Sequence, residues 1–153
     1  MTPPRVVYDT MVFLQSAVRV GRAHATFQAL RDGRATLCIS AELIAEVRDV
    51  LSRPSITAKF PALTPQRLAQ FLDEINLLAT NFDPIPGAFT WPAHPDDDHL
   101  FNLAITSQAD YLVTWESRIL ALATSTDPAA FELRRLAPKT SIVTPAQLAA
   151  LVK

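Results

Sequence analysis

Residues 35–52 read ATLCISAELIAEVRDVLS, and this stretch decides the fold class. Ala35–Ile39 is a short, unbroken apolar run, the form a strand takes when other elements cover both of its faces. Ser40 follows as a helix N-cap, because its hydroxyl can accept from a backbone N–H of the first turn. From Ala41 to about Ser52, Leu43, Ile44, Val47, Val50 and Leu51 recur at helical spacing and make one apolar stripe. Arg53-Pro54 ends the helix, since proline disfavours helical geometry in the residue before it. A buried strand running straight into an amphipathic helix is the repeating unit of a parallel α/β sheet.

The same alternation extends in both directions. Upstream, Val6–Tyr8 reads as a strand that ends on Asp9, and Val18–Arg31 reads as a helix stopped near Gly33. Downstream, Thr64 caps a helix over Pro65–Ala79, and the proline-rich segment Asn81–Pro95 reads as a loop. A helix from about Asp97 to Ser107, a strand at Tyr111–Thr114 and a short helix or turn at Ser117–Ala123 come next. Thr124–Pro138 carries no clear pattern. Ser141–Val143 is a last strand, and Thr144 caps a closing helix, Pro145–Leu151. No internal repeat is visible, and residues 1–153 are expected to form one α/β domain around a mainly parallel sheet. In such folds ligands bind outside the carboxyl ends of the strands, where Asp9 and Glu116 fall.

Composition narrows the function classes. The chain is 49% hydrophobic and 19% charged with a net charge of −1, so it is globular rather than disordered and carries no overall basic footprint. No apolar run approaches the roughly 20 residues that span a bilayer, and Met1–Val7 is too short and proline-rich for a signal peptide. Cys38, the one cysteine, lies inside an apolar run and reads as core. A reducing, cytoplasmic setting is the expectation. Three glycines leave no room for a phosphate-binding glycine-rich loop. From Leu68 to Ser117 there is no Lys or Arg, yet this span holds Asp73, Glu74, Asp83, Asp96, Asp97, Asp98, Asp110 and Glu116. Carboxylates in that position either stay solvated or gather round a cation.

Helical phase ranks the acids, at about 100° per residue. On the helix after Ser40, Glu42, Glu46 and Asp49 lie off the apolar stripe, and Glu46 is nearest its edge. Glu42 sits in the first turn, where the helix dipole suffices to explain a carboxylate, and Asp49 reads as solvated surface. Asp97 falls near the middle of the apolar arc of its helix, whereas Asp98, His99 and Asn102 fall toward the polar side. Either Asp96 or Asp97 caps that helix. Asp9 taken alone is an Asx turn or a cap, and Glu116 taken alone is loop surface. One site for a hard divalent ion, which takes oxygen ligands, would account for all four acids together.

The motifs Val6-Val7-Tyr8-Asp9-Thr10, Ser40-Ala41-Glu42-Leu43-Ile44-Ala45-Glu46-Val47, His94-Pro95-Asp96-Asp97-Asp98-His99-Leu100 and Ala109-Asp110-Tyr111-Leu112-Val113-Thr114 occur in that order, before a closing Ile142-Val143-Thr144-Pro145. Order and spacing resemble the PIN-domain family, in particular the VapC-like ribonuclease toxins of prokaryotic toxin–antitoxin pairs. The resemblance implies a three-layer α/β/α sandwich and cleavage of RNA dependent on Mg²⁺ or Mn²⁺. It puts the family's acids on Asp9, Glu46, Asp97 and Glu116, with Thr114 as an accompanying hydroxyl. Thr10, beside Asp9, is a further supporting hydroxyl, and Arg118, just past Glu116, is either a contact to the RNA backbone or an ordinary surface arginine. The resemblance also implies an antitoxin protein partner. Apolar positions on the Pro65–Ala79 and Val18–Arg31 helices suit a homodimer, and no membrane is involved.

Three positions depart from the pattern. Met11 stands where asparagine is common, Trp115-Glu116 replaces a glycine-aspartate pair, and His94 replaces an aspartate. Met11 and Trp115 favour the alternative of a PIN-like module that has lost effective metal binding and works through protein contacts. An aspartate-dependent phosphatase is disfavoured, because Asp9-Thr10-Met11 lacks the second acid that chemistry needs. His24 and His99 are expected to be surface or structural.

Overall fold

The computed structural model describes residues 2–19 and 21–153, so Met1 and Val20 lie outside the described residues. Five short strands form one sheet: β1 (Arg5–Tyr8), β2 (Thr36–Ile39), β3 (Ala79–Asn81), β4 (Tyr111–Val113) and β5 (Ser141–Val143). Their order across the sheet is β3-β2-β1-β4-β5, and every pairing is parallel. Val6, Val7 and Tyr8 are consecutive, so they face both sides of the sheet, and all three are fully buried. Both faces are therefore covered, which makes the α/β/α layering that the unbroken apolar runs imply. Among the described residues, no helix is long and apolar enough to cross a membrane.

The helices confirm some expected boundaries and move others. α3 (Ala41–Leu51) begins where Ser40 accepts from the Leu43 N–H at 3.1 Å, and Leu43, Val47 and Leu51 are its buried stripe. α5 (Pro65–Leu78) is opened by Thr64, and α9 (Pro145–Leu151) by a reciprocal capping box between Thr144 and Gln147. The helix expected over Val18–Arg31 is instead two elements. α1 (Thr10–Ala17) starts directly after Asp9, Val18 caps it, Arg19 takes a positive φ of 58°, and α2 spans Gly21–Arg31. Val20, inside the expected helix, lies outside the described residues. α1 was invisible to periodicity because Val12, Phe13, Leu14, Ser16 and Ala17 are all buried, leaving too narrow a polar face to set a phase.

Pro54 does end α3, but it also occupies the first position of α4 (Pro54–Lys59), where its missing N–H costs nothing. β3 emerges from residues read as helix end and loop. It is a mostly exposed edge strand, so it has no apolar run to announce it. α6 (Asp98–Ser107) follows a 3₁₀ turn at Pro95–Asp97, and α7 (Ser117–Leu120) follows β4. The unassigned segment contains α8 (Pro128–Leu136).

The chain order places β1 and β4 side by side at the point where successive connections change direction. The sheet runs outward from β1 through β2 to β3, then returns to lay β4 on the other side of β1. The helices leaving the ends of β1 and β4 diverge there, and a crevice opens between them.

Candidate active site

Asp9 follows β1 at this crevice and is 6% exposed. Its Oδ1 accepts from the Val12 N–H at 3.2 Å, capping α1, and its Oδ2 accepts the Thr114 hydroxyl. The cap reading of Asp9 thus holds, in a side chain that also lines the crevice. Thr114 is fully buried just past β4, and its Oγ1 also accepts the Glu116 N–H at 2.9 Å. One hydroxyl therefore ties together the two strand ends that carry the acids. Burial pushes the Asp9 carboxyl up to about 6; the Glu116 charge adds to this, while bonds from Thr114 and Val12 oppose it.

Glu46 arrives from α3, half-buried, as its place at the edge of the apolar stripe predicts. Its Oε2 accepts the Thr10 hydroxyl at 2.5 Å and lies 3.4 Å from His99 Nε2. His99 on α6, with only 10% of its side chain exposed, is the residue that sequence reasoning missed. The hydrogen bond from His99 is the main reason that Glu46 sits below the ordinary glutamate value, despite partial burial. Burial alone would lower His99, but Glu46, aided by Glu42 and Asp97, holds it above the ordinary histidine value. Only the contact with Glu46 distinguishes His99, and that contact joins residues 53 positions apart in the chain, so no local signal existed.

Asp97 ends the 3₁₀ turn and occupies the N-cap position of α6, but its side chain makes no capping bond. Its Oδ2 instead accepts from Arg118 Nη2 at 2.7 Å, while Arg118 Nη1 donates to Glu116 Oε2 at 2.8 Å. Asp9, Thr10, Glu46, Asp97, Glu116 and Arg118 all line one pocket of about 230 Å³, with Met11 and His99 in its wall. Thr114 reaches it through Asp9. Sequence reasoning proposed these seven residues, and the fold brings them together from four separate stretches of the chain.

Beside this pocket runs a groove of about 560 Å³ bounded by Glu42, Glu46, Asp96, His99 and the loop at residues 85–90. Asn102 holds that loop in place. Its amide accepts the Phe89 N–H at 2.8 Å and donates to the Phe89 carbonyl at 3.0 Å, as a neighbouring strand would. Asp98, on the polar side of α6, accepts the Trp91 N–H at 2.7 Å from the loop seven residues earlier.

The donor set suits a hard cation: four carboxylates on different elements converge on one crevice, and no thiol stands among them. Burial of Asp9 beside Glu116 raises the cost of the charges, which a bound cation would offset. Among the described residues, no three His, Cys, Asp or Glu groups are placed so that they could hold a metal ion as they stand. The space between Asp97 and Glu116 is spanned by the Arg118 guanidinium.

No curated protein and no solved structure gives a significant match to the chain. The family model described as PIN domain matches residues 5–118, well over half of the chain. That span contains all seven candidate residues, from Asp9 to Arg118. PIN domains are in general metal-dependent nucleases that act as hydrolases. The all-parallel five-stranded sheet, the crevice between β1 and β4 and the matched span agree, and this chain belongs to the PIN domain family.

Proposed function

We propose that the protein is an endoribonuclease that hydrolyses RNA phosphodiesters with Mg²⁺ or Mn²⁺, acting as the toxin of a toxin–antitoxin pair. The observation that carries this reading is the convergence of Asp9, Glu46, Asp97 and Glu116 on a single pocket where β1 and β4 end. These four side chains would hold the ion. When bound, a divalent ion supplies charge neutralisation at the transferring phosphate and a lowered pKa for the attacking water.

The rest is the work of the chain's own residues. Thr114 fixes the rotamer of Asp9, and Thr10 with His99 fixes that of Glu46. Such outer partners commonly account for a factor of about 10–100 in metal affinity or activity. Arg118 supplies a guanidinium at the pocket rim, matched in shape to a phosphate. Trp115, 39% exposed beside Glu116, offers an aromatic face on which an unpaired base can stack. The net charge of −1 gives no long-range attraction for RNA, so recognition depends on these local groups.

The partners and setting belong to the same proposal: an antitoxin that covers the acidic crevice, action in the cytoplasm, and one domain over residues 1–153. Leu77, 87% exposed on α5, suits contact with a second copy of the chain. A second reading, a PIN-like module acting only through protein contacts, draws on Met11 and Trp115. Both are large, apolar and more than one-third exposed at the site.

The deciding experiment incubates the purified protein with structured and unstructured RNAs in Mg²⁺, in Mn²⁺ and in chelator, alongside a folded Asp97→Asn variant. Metal-dependent cleavage that is lost in the variant supports the nuclease reading. Cleavage unchanged in the variant assigns it to another centre or a contaminant. No cleavage, with no rise in melting temperature on adding metal, favours the binding module.

A further inference from the structure

We propose that Arg118 is an intramolecular competitor of the metal: its guanidinium bridges Asp97 and Glu116 in the metal-free protein and passes to an RNA phosphate once an ion takes those carboxylates. This rests on the nuclease reading and deepens it. Two nitrogens of one guanidinium are used, Nη2 on Asp97 at 2.7 Å and Nη1 on Glu116 at 2.8 Å, so the side chain spans the pocket rather than capping one acid. Asp97 and Glu116 come from different elements, and both line the crevice. Arg53 and Arg135 pair locally, with Asp49 and Glu132 about one helical turn away, and Arg31 crosses to another helix but spends both its bonds on one acid, Glu74.

The contact is built to be exchanged. Arg118 is 38% exposed, and Glu116 is 41% exposed, so solvent weakens the pairing to the small value typical of surface bridges. A divalent ion carries twice the charge and prefers carboxylate oxygen, so it outcompetes the guanidinium for the same atoms. Arg118 sits in α7, two residues past Glu116, so the released arm stays at the mouth of the pocket. Its fork then meets the anion its shape favours, a phosphate of the bound strand. The arrangement spares the metal-free protein an uncompensated cluster of carboxylates.

The test is titration of the whole protein with Mn²⁺ alone, followed by calorimetry, for wild type, Arg118→Gln, Arg118→Lys and Arg53→Gln. Arg53 lines the same pocket without touching Asp97 or Glu116, so its variant removes an equal charge from the neighbourhood. Arg118→Gln is expected to tighten Mn²⁺ binding by about 1.5- to fivefold, the worth of an exposed ion pair. Arg118→Lys should fall between it and wild type, and Arg53→Gln should stay near wild type. In wild type, Mg²⁺ should also shift the Arg118 guanidinium ¹H–¹⁵N signals toward those of a solvated arginine. RNA cleavage by Arg118→Gln at saturating Mn²⁺ should fall although the metal binds more tightly. Unchanged or weaker Mn²⁺ binding in Arg118→Gln, or an equal gain in Arg53→Gln, overturns the competition. Undiminished cleavage overturns the transfer to phosphate. No Mn²⁺ binding by any form, wild type included, removes the nuclease reading and the competition with it.

Discussion

Replacing Asp9 by asparagine should stabilise the metal-free protein while abolishing its response to metal. Burial lifts the Asp9 carboxyl from 3.8 to about 6, so ionised Asp9 is a strained group in the folded state. A carboxyl raised on folding binds its proton more tightly when folded. Folding stability is therefore lost as pH climbs from the unfolded value near 3.8 to the folded value near 6, and stays lost above it. At 1.36 kcal/mol per pH unit, that loss is about 3 kcal/mol at pH 7.5. Asparagine removes the charge but keeps a carbonyl oxygen for the Val12 N–H, which holds the cap of α1.

Its amide nitrogen then faces Thr114 Oγ1, whose hydroxyl loses its acceptor, at a cost of about 1 kcal/mol. The net expectation is a gain of about 1–2 kcal/mol, or a melting temperature about 2–8 °C higher in a chain of this size. The assay is thermal unfolding of both proteins in chelator from pH 4 to 8, then at pH 7.5 with Mn²⁺. The advantage of the variant should shrink toward zero near pH 4, where Asp9 is protonated in the folded protein and is beginning to take up its proton in the unfolded chain. With Mn²⁺ only the wild type should gain. A variant that is neutral or less stable at pH 7.5 without metal would refute the claim that burial strains this carboxylate.

Other expectations bear on the surrounding groups. Thr114→Val keeps the volume but frees Asp9 to rotate, and it should lower metal affinity and RNA cleavage by about 10–100-fold with little change of fold; an unaltered calorimetric titration would remove Thr114 from the site. Asn102→Ala leaves the Phe89 N–H and carbonyl without partners and should cost about 3 kcal/mol, readable as a lower urea midpoint. In metal-free protein, His99 should titrate above 6.5 by NMR and drop in Glu46→Gln. His99 is raised and Glu46 lowered, so their pairing contributes fully between about pH 4.5 and 6.5, fades above as His99 deprotonates, and fades below as Glu46 protonates. An unchanged His99 titration in Glu46→Gln would deny the contact.

What the sequence by itself determined was local. Ser40, Thr64 and Thr144 sit where a hydroxyl can reach a first-turn N–H, and the apolar runs at Val6–Tyr8 and Thr36–Ile39 can only be strands covered on both faces. Helical phase singled out Glu46 from Glu42 and Asp49, because the edge of an apolar stripe is where a carboxylate can reach a cleft. α1, α4 and β3 escaped, since an element buried over most of its length, six residues long or lying exposed at a sheet edge leaves no period to read.

Tertiary structure alone decided how the acids meet. The return of β4 to the side of β1 sets Thr114 against Asp9, and no spacing along the chain encodes a pairing across 105 residues. The same return carries Arg118 between Asp97 and Glu116 and packs α6 so that His99 reaches Glu46. Charge shows the same division. Fifteen acids and fourteen bases nearly cancel in composition, yet the order of strands gathers four carboxylates in one crevice, where burial and proximity set their chemistry.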